Sequence, residues 1–295
     1  MEPTMQVAFH AGVHFTDNGH LLRTLAENRE TLSQRGTAIP DPRIYRGALR
    51  EAFAASEAGR PGQRDDLITR ILGGERAERV VLSNTHFFGT KWAGIAEGSF
   101  YPQAGPRMAQ LCEIFRGDQV ELFMCIQNPG IFIPKTLNAL PETRRNKILG
   151  TTDLSALSWS RMVEQVLQMA PQAKITLWCN EDAPMIWGRI LRALAGLTPG
   201  EPVRGQYSLL AEILTEDGRR ELSARVSRNP ERDEADTQEL VADILQRHAD
   251  RDKIEEELDF PGWSNEVIDA FTELYENDVA KMRAMPGVTF LAPGD

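Results

Sequence analysis

The sequence predicts an α/β protein: a three-layer parallel sheet flanked by helices, continuing into a largely helical C-terminal region. Three observations predict it. Apolar runs of strand length recur at residues 7–9, 79–83, 120–126 and 174–179. Each leads into a polar turn and then helical segments, and strands alternating with helices make parallel sheets covered on both faces. From Tyr207 onward the pattern becomes almost entirely helical. The 295 residues are 41% hydrophobic and 26% charged, enough for one large core. The chain therefore reads as a single domain, 1–295, with a helical portion over about 205–285.

The elements follow in order. Val7, Ala8 and Phe9 form the first buried strand. Leu21, Leu22, Leu25 and Leu32 recur at helical spacing, so residues 19–34 read as one helix stopped by Gly36. A breaker at 40–43 precedes helices over 44–59 and 65–72, separated by Arg60, Pro61 and Gly62. The strand at 79–83 enters a polar and aromatic loop, 84–92, and the helix at 106–115 opens on Pro106, a favoured first-turn residue. The strand at 120–126 runs through Gln127, Asn128 and Pro129 into another helix. A helix at 159–169, a strand at 174–179 and a helix at 184–194, ended by Gly196, complete the α/β part. Breaks at 229–236 and 260–264 divide the helical region, with Ser264 as N-cap of the last helix, and 286–291 reads as a fifth strand or an extended tail.

Composition narrows the function. A net charge of −10 argues against sequence-independent nucleic-acid binding, which needs a basic face. No apolar run is long enough to span a membrane, and the first residues lack a basic segment followed by an apolar stretch. Cys112, Cys125 and Cys179 form no C-x-x-C pair and read as buried, reduced thiols. Together these predict a cytoplasmic protein that neither binds nucleic acid nor spans a membrane.

In parallel sheets ligands bind outside the carboxyl ends of the strands. The segments to watch are therefore 10–18, 83–91, 127–135 and 180–182. The first joins strand to helix through a glycine-bearing turn, a geometry that aims backbone N–H groups at an anion. The order of these segments resembles that of bacterial sulfotransferase-like proteins, which transfer a sulfuryl group from phosphoadenosine phosphosulfate (PAPS) to a hydroxyl or amine acceptor on a nucleotide-kinase-type fold. His10, Ala11 and Gly12 match the start of that family's phosphate loop, Leu21 and Leu22 its helix, Leu82 and Ser83 the end of its second strand, and Asn128 and Pro129 its second phosphate motif. Trp178, Glu181, Asp182, Trp187 and the run from Tyr275 to Asp278 are similar as well.

The resemblance implies PAPS as cofactor, with Gly12, Thr16, Asn18, Gly19, Gln127 and Lys135 at the cofactor positions. The departures fall where the chemistry sits. Phe15 stands at the loop lysine, Asp17 at a loop glycine, Thr85 at the glutamate, Gln127 at the arginine and Lys135 at the serine. Losing one donor to developing transition-state charge costs on the order of a hundred- to a thousand-fold in rate. Lys135, near a helix start, restores one cation. His86, beside the missing glutamate, and His14 are the candidate catalytic residues, since imidazole accepts protons near neutral pH.

Two other readings follow from the same residues. The simultaneous changes at Phe15, Asp17, Thr85 and Gln127 suit a catalytically inactive sulfotransferase-fold protein that binds another ligand or a partner. Alternatively, His10 and His14, sharing a face of an extended strand, join Asp17 and His86 as zinc or iron ligands. The spacing fits no strong zinc motif, so no metal is expected. A kinase is disfavoured because no loop ends in Gly-Lys-Ser/Thr. Phe87, Phe88, Trp92, Phe100 and Tyr101 read as core and lid packing or as the wall of an acceptor pocket, and Trp187 reads as core.

Overall fold

The computed structural model describes residues 5–60, 64–229, 232–255 and 259–294. Residues 1–4, the break at Pro61 and Gly62, Pro230 of the charged break and Glu256–Glu257 lie outside the described residues. The strands are β1 (Gln6–His10), β2 (Thr37–Ala38), β3 (Arg79–Ser83), β4 (Ile95–Ala96), β5 (Ser99–Phe100), β6 (Gln119–Ile126), β7 (Lys174–Cys179) and β8 (Val288–Leu291). The helices are α1 (His20–Glu27), α2 (Arg29–Gln34), α3 (Pro42–Glu57), α4 (Arg64–Leu72), α5 (Ala104–Ile114), α6 (Pro129–Asn138), α7 (Glu142–Thr151), α8 (Trp159–Met169), α9 (Ala183–Ala195), α10 (Ser208–Glu212), α11 (Glu216–Arg228), α12 (Glu234–His248), α13 (Arg251–Ile254) and α14 (Asn265–Arg283).

Six strands form one sheet in the order β2-β3-β1-β6-β7-β8, with every pairing parallel. Alternation along the strands sorts the core onto two faces. Val7, Phe9, Val80, Leu82, Leu122, Met124 and Leu177 pack on one face, with side chains from α3, α5, α6, α8 and α14. Ala8, Val81, Phe123, Cys125 and Trp178 pack on the other, beneath Leu21 and Leu25 of α1 and Ile190 and Leu194 of α9. Helices α10 to α12 form an appendage around Leu210, Leu222, Leu240, Val241 and Ile244.

Strands β1, β3, β6 and β7 lie where the four apolar runs predict them, and the terminal segment is a strand, β8, paired with β7. The helix expected over 19–34 is two helices. Asn28 breaks it by turning its side chain to the neighbouring segment: Nδ2 donates to Thr24 O at 2.8 Å and Arg204 O at 2.9 Å, and Oδ1 accepts from Arg204 N at 2.9 Å. The two-residue strands β2, β4 and β5 carry too little sequence to announce themselves. Ser264 occupies the N-cap position of α14, but its hydroxyl makes no capping bond.

Polar anchors hold the layers at both ends. At the amino edge of the sheet, Arg79 and Glu121 are buried (5% and 8% exposed). Their Nη2 and Oε2 atoms lie 2.6 Å apart, while Arg79 also donates to Leu194 O at 2.8 Å and Gln6 Oε1 at 2.7 Å, so one guanidinium joins three strands to the last turn of α9. Elsewhere, buried Asp278 of α14 accepts from Ser160 N at 3.0 Å, Ser158 Oγ at 2.9 Å and Ser160 Oγ, which caps the start of α8. At the carboxyl edge the chain leaves β1 toward β2 and leaves β6 toward β7, placing the topological switch point between them.

Candidate functional site

The switch point is bounded by the loop 11–19, the start of α6 and the loop after β7. In the first loop Gly12 adopts φ 61° and lies so close to the loop after β3 that a Cβ would meet Thr85 Cγ2 at 2.9 Å. Phe15, Asn18 and Gly19 also have positive φ, which folds the loop back on itself. Asp17 then turns its carboxylate onto α1: Oδ1 accepts from Gly19 N at 3.2 Å and Oδ2 from Leu21 N at 3.0 Å. The helix start that would face a phosphate thus carries an anion of its own chain. Thr16 Oγ1 donates to Val13 O at 2.8 Å, and Asn18 is exposed. Phe15, at the lysine position, packs near Phe132 with ring centroids 6.4 Å apart.

The start of α6 is filled in the same manner. Asn128 Oδ1 accepts from Gly130 N at 2.8 Å, its Nδ2 donates to Thr272 Oγ1 at 2.8 Å, and its backbone N donates to Glu181 Oε1 at 2.9 Å. Tyr275 OH donates to the other oxygen of Glu181 at 3.1 Å. Desolvation on the crowded rim raises the Glu181 pKa. The buried Cys125 thiol between β1 and β7 is pushed well up, first by burial and then by the charges of Glu181 and Asp17. Gln127 is buried with Oε1 unpartnered, while its carbonyl accepts from Trp159 Nε1 at 2.8 Å. Lys135 is half-buried in the second turn of α6, about 9 Å along the axis from Pro129.

The N-terminal histidines do not share one face, because β1 ends at His10 and the two-residue alternation ends with it. His10 stacks on Trp178 at 5.9 Å, and its Nδ1 lies 2.8 Å from Ser83 Oγ; burial lowers its pKa. His14 turns to Tyr101, on the opposite face of the sheet from Trp178. The Tyr101 hydroxyl accepts from His14 N at 3.0 Å and lies 2.7 Å from Nδ1. Since the buried hydroxyl needs an acceptor for its own proton, it donates to Nδ1, and the His14 proton resides on Nε2, which has no partner. Tyr101 holds this position with φ 41°, uncommon for a bulky residue.

Desolvation, followed by the nearby His86 and Lys91, lowers the His14 pKa to about 4. The exposed His86 meets His14 edge-on at 5.2 Å, and its own pKa is lowered by desolvation and then by Arg46. Both imidazoles are neutral at pH 7. His20 belongs to a separate cluster on the appendage side, near Ser208 and Glu212. Among the described residues, no three His, Cys, Asp or Glu side chains gather to hold a metal ion. Phe87, Phe88, Phe100 and Tyr101 are buried core members, and Trp92 stands exposed.

Three participants carry only a faint signal in the sequence. Asp17 lies two residues ahead of the N-cap Gly19, outside the position where a sequence reading looks for a capping side chain. Glu181 and Tyr101 reach the site from remote segments by tertiary packing. Neither a family model, nor a curated protein, nor a solved structure matches this chain.

Proposed function

We propose that the protein is a catalytically inactive member of the P-loop-type sulfotransferase-like fold, closed to PAPS, whose carboxyl edge serves another ligand or a partner. One observation carries this reading: Asp17 places its carboxylate on Gly19 N and Leu21 N, where a bound phosphate would take its hydrogen bonds. Three further features support it. Glu181 holds the backbone N of Asn128 at the second helix start, Phe15 replaces the loop cation, and the sheet order has its first strand central with the turn of the loop at the switch point. A nucleotide carrying several negative charges would meet two carboxylates and no paired cationic clamp. What remains at the surface there to contact a ligand is the exposed His86, with His14 buried behind it.

The test is calorimetric titration of the purified protein with PAPS and with adenosine bisphosphate, alongside a sulfuryl-transfer assay. No binding at millimolar nucleotide is expected. Micromolar binding that weakens in Lys135→Ala, or sulfuryl transfer to a hydroxyl or amine acceptor that disappears in that variant, would establish the active sulfotransferase instead.

A further inference from the structure

The sheet is open along its lateral edge at β2, the outermost strand. Arg79 N donates to Gly36 O at 3.1 Å, and Thr37 and Ala38 lie opposite Arg79 and Val80 of β3. Alternate residues pair in a parallel ladder, so Gly36 and Ala38 turn their amides to β3 while Thr37 and Ile39 turn theirs outward. Ile39 O accepts from Arg29 Nε at 3.0 Å on that outer side. Among the described residues, Thr37 N, Thr37 O and Ile39 N have no partner. Unpaired amides along a sheet edge are a template for a further strand.

A groove of about 690 Å³ opens on this edge between two walls of different character. Ile44 of α3 and Leu72 of α4 make an apolar wall, on the side of the sheet that α3 covers, and Ile44 is 50% exposed. Glu27 of α1 and Glu30 of α2 make the other wall, on the side where Leu25 and Leu32 of the same helices pack. Asp41 and Glu75 add two more carboxylates, against the one guanidinium of Arg29, which is already committed to Ile39 O. Glu27 lies 4.0 Å from Arg204 and Asp41 is bonded by Arg43, whereas Glu30 and Glu75 have no ion pair among the described residues.

We propose that this edge docks an extended segment of a partner protein in which apolar and basic residues alternate, added as a strand beside β2. Side chains of a strand point by turns to the two faces of its sheet, so the apolar ones meet Ile44 and Leu72 while lysines or arginines meet Glu27 and Glu30. A second copy of this chain has the wrong charge for the groove: the chain carries −10, and joining two such edges brings both sets of carboxylates into one seam. Docking here does not depend on whether the carboxyl edge is closed to PAPS.

The experiment titrates the full chain into a dye-labelled, end-capped peptide of alternating lysine and valine, Lys-Val-Lys-Val-Lys-Val-Lys, followed by fluorescence anisotropy. Saturable binding is expected that weakens as salt is raised. It should be at least about 10-fold weaker in the double variant Glu27→Lys, Glu30→Lys and in Ile44→Ser, all at exposed positions and expected to melt like the wild type. Peptides N-methylated at the valines or at the lysines distinguish strand addition from plain charge attraction. Only alternate amides of an added strand face β2, so one of the two should lose at least about 10-fold and the other keep its affinity. No binding, equal binding of the glutamate–valine analogue, or equal tolerance of both N-methylated peptides would overturn the proposal. A concentration-dependent dimer in sedimentation that disappears in Ile44→Ser would overturn it in favour of a second copy at this edge.

Discussion

The buried His14 makes the stability of this protein sensitive to acid in a way that one substitution should remove. The imidazole is 7% exposed, receives the Tyr101 hydroxyl proton on Nδ1, and faces His86 and Lys91. Its pKa falls from 6.5 to about 4 in the folded state. Between those values the unfolded chain binds a proton that the folded chain refuses, so folding stability is lost as pH falls from about 6.5 to about 4 and is unaffected by this group at higher pH. At about 1.4 kcal/mol per unit the window amounts to about 3 kcal/mol, a large share of the roughly 5–15 kcal/mol that holds a typical domain together. His10 and His86 are shifted in the same direction, so the measurement is a difference. Urea unfolding of the wild type and of His14→Gln would be followed at half-unit steps from pH 7.5 to about 4.5. The variant is expected to start less stable at pH 7, because Tyr101 loses its partner, and to lose about 2–3 kcal/mol less on acidification. Parallel stability curves for the two proteins across that range would refute the burial and the neutral state assigned to His14.

Two anchors give further expectations. Arg79→Met leaves the buried Glu121 carboxylate without its cation, with the Gln119 amide still donating, and takes the side-chain donor from Leu194 O; it should cost about 3–5 kcal/mol by urea unfolding, with Glu121→Gln in the same chain recovering a measurable part. Asp278→Ala removes the acceptor shared by Ser160 N and the two serine hydroxyls and should cost about 2–3 kcal/mol, with hydrogen exchange accelerating first in the opening turn of α8.

How much of this could be read from the chain depends on the length of the interaction involved. β3 and β7 have their predicted bounds because each is a run of apolar residues closed by a polar turn, and Gly196 ends α9 in the left-handed conformation that glycine favours. Asn28 was not legible as a break because its partner, Arg204, lies 176 residues away. The site was legible in outline, since a parallel sheet places its crevice at the strand ends, and His14, His86, Thr16, Gly19 and Gln127 all lie on those segments. Its chemistry was not, because it turns on where Asp17 and Tyr101 point. Alternation along an extended strand places His10 and His14 together only while the strand lasts, and β1 stops at His10. The pairing of His20 with Ser208 has no local signature at all, as it joins the first helix to the appendage.

The carboxylate seated on the first turn of α1 also bears on what the order of this loop depends on. A loop that borrows its anion from solution is ordered only while that anion is bound, and its stability rises and falls with the logarithm of the free ligand concentration. Here the counterpart is tethered four residues from the farther N–H it satisfies. Its effective concentration is fixed by the covalent chain, so on the PAPS-closed reading the loop keeps one conformation whether nucleotide is scarce or abundant. On that reading the segment is a built-in strut between the sheet and α1, held by bonds of its own chain.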